Sequence, residues 1–124
     1  MELLRLQDVQ GNRFPAGRWT RLLVGPGSLQ ANNFVIGHST IFPDGGVPEH
    51  SHHNEEVYVC LSGRVRLSVG EEARVLEPVT AAYIPSNVPH SLRNVAEGES
   101  VIMFVYSPAG LVDHWQDELD GKLE

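Results

Sequence analysis

His50-Ser51-His52-His53-Asn54-Glu55-Glu56 puts three imidazoles within four positions and two carboxylates directly behind them. On extended chain, successive side chains point to opposite faces, so His50, His52 and Glu56 look one way and His53 and Glu55 the other. A divalent cation needs imidazole and carboxylate donors converging at about 2.0–2.2 Å, and the spacing His-x-His-x-x-x-Glu supplies three of them. Asn54 allows a short turn between His52 and Glu56. A fourth donor, His90, follows the proline-bracketed turn Pro85-Ser86-Asn87-Val88-Pro89. Three neutral imidazoles and one carboxylate suit one divalent first-row transition metal (iron, manganese, zinc or nickel) and are too rich in nitrogen for calcium or magnesium. Taken by itself, the stretch also fits a His-rich surface loop that holds no metal.

Outward from this stretch the chain is cut into short segments by 12 glycines and 8 prolines. Residues 19–24, 33–42, 47–53, 56–61, 64–69, 73–76, 80–84, 90–94 and 100–106 are rich in β-branched and aromatic residues or alternate with period two, and Asp44-Gly45 is a hairpin signal. About nine short strands, with no room for crossover helices, predict an antiparallel sandwich or barrel. Only the tail departs from this rhythm: Leu111, Val112, Trp115 and Leu119 form one helical stripe, with Gly121 where a C-cap belongs.

The length of 124 residues fits one domain, with an N-terminal arm and edge strand in 1–30, a barrel core over about 31–108 and a helical tail over 109–124. The formal charge of −7 argues against a nucleic-acid partner. No apolar run approaches the ~20 residues of a membrane helix, and the start lacks a signal-peptide pattern. With Cys60 as its one cysteine, the chain cannot form an internal disulfide. The expectation is a cytoplasmic protein that meets neither nucleic acid nor membrane.

The stretch from Pro43 to Asn94 resembles the cupin superfamily. The first cupin motif, G-x5-H-x-H-x3,4-E-x6-G, is matched by His50-x-His52-x3-Glu56-x6-Gly63, with Asp44 where the leading glycine stands. The second, G-x5-P-x-G-x2-H-x3-N, is matched by Pro85-x-Asn87-x2-His90-x3-Asn94, with Val79 and Asn87 in place of two glycines. Asn is the non-glycine residue most tolerant of the left-handed conformation, so Asn87 departs mildly. The resemblance implies an all-β antiparallel jelly-roll barrel of the small single-domain type, often a dimer, with His50, His52, Glu56 and His90 binding a metal inside it. It leaves the reaction open.

Other residues follow from parity. Tyr58 and Cys60 share the face of Glu56, and Tyr58 is a candidate to hold or deprotonate a substrate. His38 shares a face with Phe34, Ile36 and Thr40; if that face is the pocket wall, His38 is a second candidate base. His53 points outward. No arginine reads as inward, which argues against a strongly anionic substrate. Trp115 and Leu119 dock the tail helix on the barrel or on a second subunit. The function expected is a metal-dependent enzyme (dioxygenase, or isomerase, lyase or cyclase) acting on a small polar molecule chelated at the metal. A non-catalytic small-molecule or sugar-binding module is the alternative, and the lack of a DNA-binding helix pair weakens a sensor role. A homodimer is expected because short barrels leave sheet edges to cover, with residues 19–24 as an edge strand.

Overall fold

The computed structural model describes residues 1–110 and 114–122. Ten strands form two antiparallel sheets: β1 (Asn12–Phe14), β2 (Arg18–Val24), β3 (Val35–Ile41), β4 (Gly46–His50), β5 (Glu55–Ser62), β6 (Val65–Val69), β7 (Glu72–Leu76), β8 (Thr80–Ile84), β9 (His90–Asn94) and β10 (Ser100–Ser107). The six-stranded sheet runs β1-β2-β3-β10-β5-β8 and the four-stranded sheet β4-β9-β6-β7. This is the all-β jelly roll, closed by one short helix, α1 (His114–Leu119). Nine strands match the expected segments to within a few residues. The tenth, β1, is three residues long and displaces β2 from the edge position expected for residues 19–24.

The core lies between the sheets, where inward residues alternate along each strand: Tyr58 and Cys60 on β5, Val65 and Leu67 on β6, Ile102, Phe104 and Tyr106 on β10. On β3 the inward set is Val35, Gly37, Ser39 and Ile41. Bulk alone would choose the other face. Gly37 faces inward because a Cβ there would lie 2.1 Å from the Phe104 ring, and Ser39 because its hydroxyl pairs with that of Thr20 at 2.7 Å. His38 therefore sits on the outer face, beside Arg21 and Met103 of the neighbouring strands.

The two departures from the cupin glycines at Asp44 and Asn87 both adopt left-handed backbone, with φ 63° and 64°. Asp and Asn are the residues that bear this conformation at least cost. Asn94 is buried and clamps two turns: its amide donates to the carbonyls of Ile41, Phe42 and Gly98, and its oxygen accepts from Ala96 N–H and Ser100 Oγ.

The helix ends as expected at Gly121. Gly121 N–H bonds Glu118 O and Lys122 N–H bonds Asp117 O, the paired closure of a glycine C-cap. Trp115 is docked, against Phe14, Phe104 and Tyr106 with ring centroids 6.0–6.3 Å away. Leu119, expected on the docked stripe, is 42% exposed; Leu111 and Val112 lie outside the described residues.

Candidate metal centre

The donors converge from two sheets and a loop, not from one face of one strand. β4 ends at His50, and Ser51–Asn54 is non-strand chain that crosses to β5, where Glu56 begins the inward alternation. His50 and His90 are register partners on β4 and β9 of the four-stranded sheet. Glu56 faces them from the six-stranded sheet, and His52 reaches in from the connecting loop. The shared orientation expected from strand parity is thus reached by a different route. Asn54 holds the loop by donating its buried side-chain amide to Pro108 O at 2.7 Å. Asn87 N–H bonds His52 O at 2.8 Å, tying together the loops that carry the two motifs.

The four donor atoms lie within 4.8 Å of one another, close to the span of a shared coordination sphere with bonds near 2.0–2.2 Å. Each imidazole is oriented the same way. His50 Nδ1 lies 2.7 Å from Pro48 O, His90 Nδ1 2.8 Å from Val88 O and His52 Nδ1 3.1 Å from Asn54 O. A carbonyl only accepts, so each Nδ1 carries a proton and each Nε2 points inward, the outer-sphere arrangement that prepares histidine for a metal; without a metal, His52 Nε2 lies 3.1 Å from Glu56 Oε1 and donates to it. Burial, helped by the neighbouring rings of His114 and His90, lowers the His50 pKa to about 2, so this imidazole stays neutral. Burial pushes the Glu56 carboxyl upward, but the hydrogen bond with His52 and the nearby His90 ring outweigh it and hold it below its usual range, as the carboxylate. His90 Nε2 is buried with no hydrogen-bond partner, although it lies 3.4 Å from Glu56 Oε1. An unpaired buried nitrogen aimed at a carboxylate and two other imidazoles fits a cation among them.

Tyr58 faces this chamber, as parity predicts, but is fully buried. Burial first, and then the Glu56 charge, raise its pKa well above 10, so it is a phenol and not a base. His38 is not in the chamber. His53 is exposed, as expected. Cys60 is inward-facing, buried and free.

Sequence reasoning missed the mouth. His114 of α1 stacks on His50 with ring centroids 3.6 Å apart and planes 21° from parallel. Arg18 of β2 points inward, 2% exposed, which corrects the expectation of a pocket without an inward arginine. No local pattern marked it: Arg18 precedes an apolar run and its partner, Glu118, lies 100 positions away.

A model of the cupin domain matches residues 37–106, more than half of the chain and the whole of both motifs. The chain belongs to the cupin family. Among proteins similar to this cupin, the H2HPP isomerase of Bacillus subtilis is 29% identical over 99 residues, covering 77% of this chain and 42% of that protein. The polyketide synthase CurC of Streptomyces cyaneus is 27% identical over 104 residues, covering 83% of this chain and 67% of that protein. The chain thus spans less than half the length of the isomerase. The polyketide cyclase RemF of Streptomyces resistomycificus shares the cupin fold with a TM-score of 0.74 and 21% identity, covering 94% of this chain and 91% of that one.

Proposed function

We propose that this cupin is a metal-dependent enzyme of the isomerase, cyclase or lyase type, acting on a small polar molecule chelated at a divalent transition metal. The observation that carries the reading is the inward convergence of His50, His52 and His90 Nε2 on the Glu56 carboxylate, with His90 Nε2 otherwise unpaired. The similarity to an isomerase and to a polyketide cyclase supports this class over oxygen chemistry.

In this reading His50, His52, Glu56 and His90 hold the metal, which supplies Lewis acidity to a chelated oxygen. Glu56 contributes the one negative charge of the ligand set. Tyr58, kept protonated by burial, donates a hydrogen bond to substrate and does not abstract its proton. His38 has no part, since it faces away from the chamber. Phe104, Tyr106 and Trp115 line the chamber and exclude water.

Elemental analysis of protein purified without added metal tests the reading. Stoichiometric zinc, manganese or nickel in the wild type, absent from His90→Ala, is the expected result. Iron would return dioxygenase chemistry to first place. Metal bound without turnover of any chelating hydroxy- or oxo-compound would leave the non-catalytic module. No metal at all would end the proposal.

The proposal extends to residues 1–124 as one domain, to a cytoplasmic location and to a homodimer. Ile36, Val57, Val59, Met103 and Val105 leave the outer face of the six-stranded sheet partly exposed and apolar, a surface that a second copy would cover. A monomeric mass by light scattering at micromolar concentration would refute the dimer.

A further inference from the structure

The chamber in front of the metal donors is lined by Arg18, whose ion pair with Glu118 the metal reading does not use. Arg18 and Glu118 are 2% and 1% exposed. They meet as a two-pronged fork, Nη1 to Oε2 at 2.5 Å and Nη2 to Oε1 at 2.6 Å, the geometry in which arginine binds a carboxylate. The guanidinium is also fixed independently of Glu118. It donates to Gly46 O at 3.2 Å and lies over the Phe14 ring at 4.1 Å. Arg18 therefore keeps its aim when its partner leaves.

The partner sits on an element poorly equipped to stay. A six-residue helix is too short to be stable alone, and α1 buries no apolar residue fully; its one buried residue is Glu118. Among the described residues, what holds it is the Glu118 carboxylate on Arg18, the His114 ring on His50, and Trp115. His114 Nδ1 donates to Glu118 Oε1 at 3.1 Å, so one carboxylate links Arg18, through His114, to a metal donor. With α1 docked the chamber holds only about 20 Å³, room for one water and no organic molecule. Next to it lies a cleft of about 420 Å³, within the usual range of ligand pockets. Thr20 and Trp115 line both spaces, so the indole is part of the partition between them.

We propose that Arg18 is the carboxylate-binding residue of this site. The substrate is a small organic acid whose carboxylate replaces the Glu118 side chain on the Arg18 fork, displacing α1, while its other polar groups reach the metal donors. This rests on the metal-dependent reading above and narrows its substrate to organic acids. A purely structural ion pair would serve the fold as well if both partners were apolar. It would not account for a guanidinium lining the chamber that the metal donors His52 and Glu56 also line.

Calorimetric titration of the full-length protein tests this with butanoate and benzoate against the isosteric butanamide and benzamide, in metal-free and metal-loaded protein. The metal-free arm isolates Arg18 from carboxylate binding at the metal. The acids are expected to bind at least ~10-fold more tightly than the amides in both forms. Glu118→Gln, which removes the internal competitor, should tighten the acids by roughly 10-fold and leave the amides unchanged. The double variant Arg18→Gln/Glu118→Gln removes both charges together, so it leaves no unpaired buried ion and should fold; its circular dichroism should match the wild type while its acid preference disappears. Equal binding of acids and amides in metal-free wild type and in Glu118→Gln overturns the assignment, as does a preference that survives in the double variant. Failure to take up metal would refute the metal-dependent reading alone, because the acid preference is judged without metal.

Discussion

The floor and the mouth of the barrel are built on opposite principles. On the floor, His50 and His90 sit on paired strands, Glu56 faces them from the other sheet, and each imidazole is turned by a backbone carbonyl within two residues of its own position. His50, His90 and Glu56 cannot move without breaking a sheet, and the loop carrying His52 is tied down by Asn54 and Asn87. At the mouth, His114, Trp115 and Glu118 are presented by a six-residue helix held, among the described residues, by one ion pair and the ring contacts of His114 and Trp115. The donors are preorganised, as a metal centre requires, while access to them is conditional. Rigidity and mobility are thus separated by element, which is how loops and short helices come to gate sites held by a stable scaffold.

The largest expected effect breaks the floor. His90→Ala removes one of four donors and should lower metal affinity by more than the ~100-fold upper end for loss of an outer-sphere partner; metal per chain after dialysis against a weak chelator measures it, and full retention would show that the cluster is not the site. Asn54→Ala acts on the loop that presents His52. The bond from buried Asn54 to the exposed Pro108 carbonyl is lost, and urea unfolding should show about 0.5–1.5 kcal/mol of lost stability. No loss would mean that the loop holds its shape without the clamp.

Glu118→Gln should affect the mouth alone: faster amide hydrogen exchange within residues 114–119, with the exchange of β4, β5 and β9 unchanged. Faster exchange in these strands along with the helix would make the two regions one cooperative unit.

Acid should do the same reversibly. Burial raises the Glu118 pKa, but the Arg18 hydrogen bond and charge, with His114, outweigh it and hold the carboxyl below its usual 4.5. Arg18 from β2, His114 from α1 and the Tyr58 phenol from β5 are the charged or titratable groups around it. A depressed carboxyl contributes stability that is complete above the unfolded value and is lost as pH falls through the lower folded value. In a Trp19→Phe background, Trp115 emission should therefore hold above about pH 4.5 and shift below it, and Glu118→Gln should lack that transition. An identical acid shift in both proteins would place its cause elsewhere.

The smallest expected effect is none. His53→Ala changes the neighbour of a ligand but removes an exposed side chain, so metal content should equal the wild type. Metal loss equal to that of His52→Ala would mean that the segment behaves as an unstructured His-rich loop.

Much of the floor was legible in advance because its information is local. Strand lengths, the donor spacing, the inward alternation of Glu56, Tyr58 and Cys60, and the tolerance of Asn87 for left-handed backbone all depend on neighbours a few residues apart. What failed depended on distant partners. The face of β3 that lines the core is not the bulkier one, because Gly37 and Ser39 look like solvent residues until Phe104 and Thr20 are placed against them, and His38 goes to the outer side with the bulkier face. Strand parity through residues 50–56 could not foresee that the chain changes sheets between His50 and Glu56. By itself, the sequence determined which side chains offer metal donors and that the chain is antiparallel β, since period and spacing are properties of the chain; the barrel followed from the resemblance to cupins. Only the tertiary structure decided what closes over them, because an ion pair between Arg18 and Glu118, 100 residues apart, has no periodicity to betray it and exists only once the barrel has brought its first long strand against its last helix.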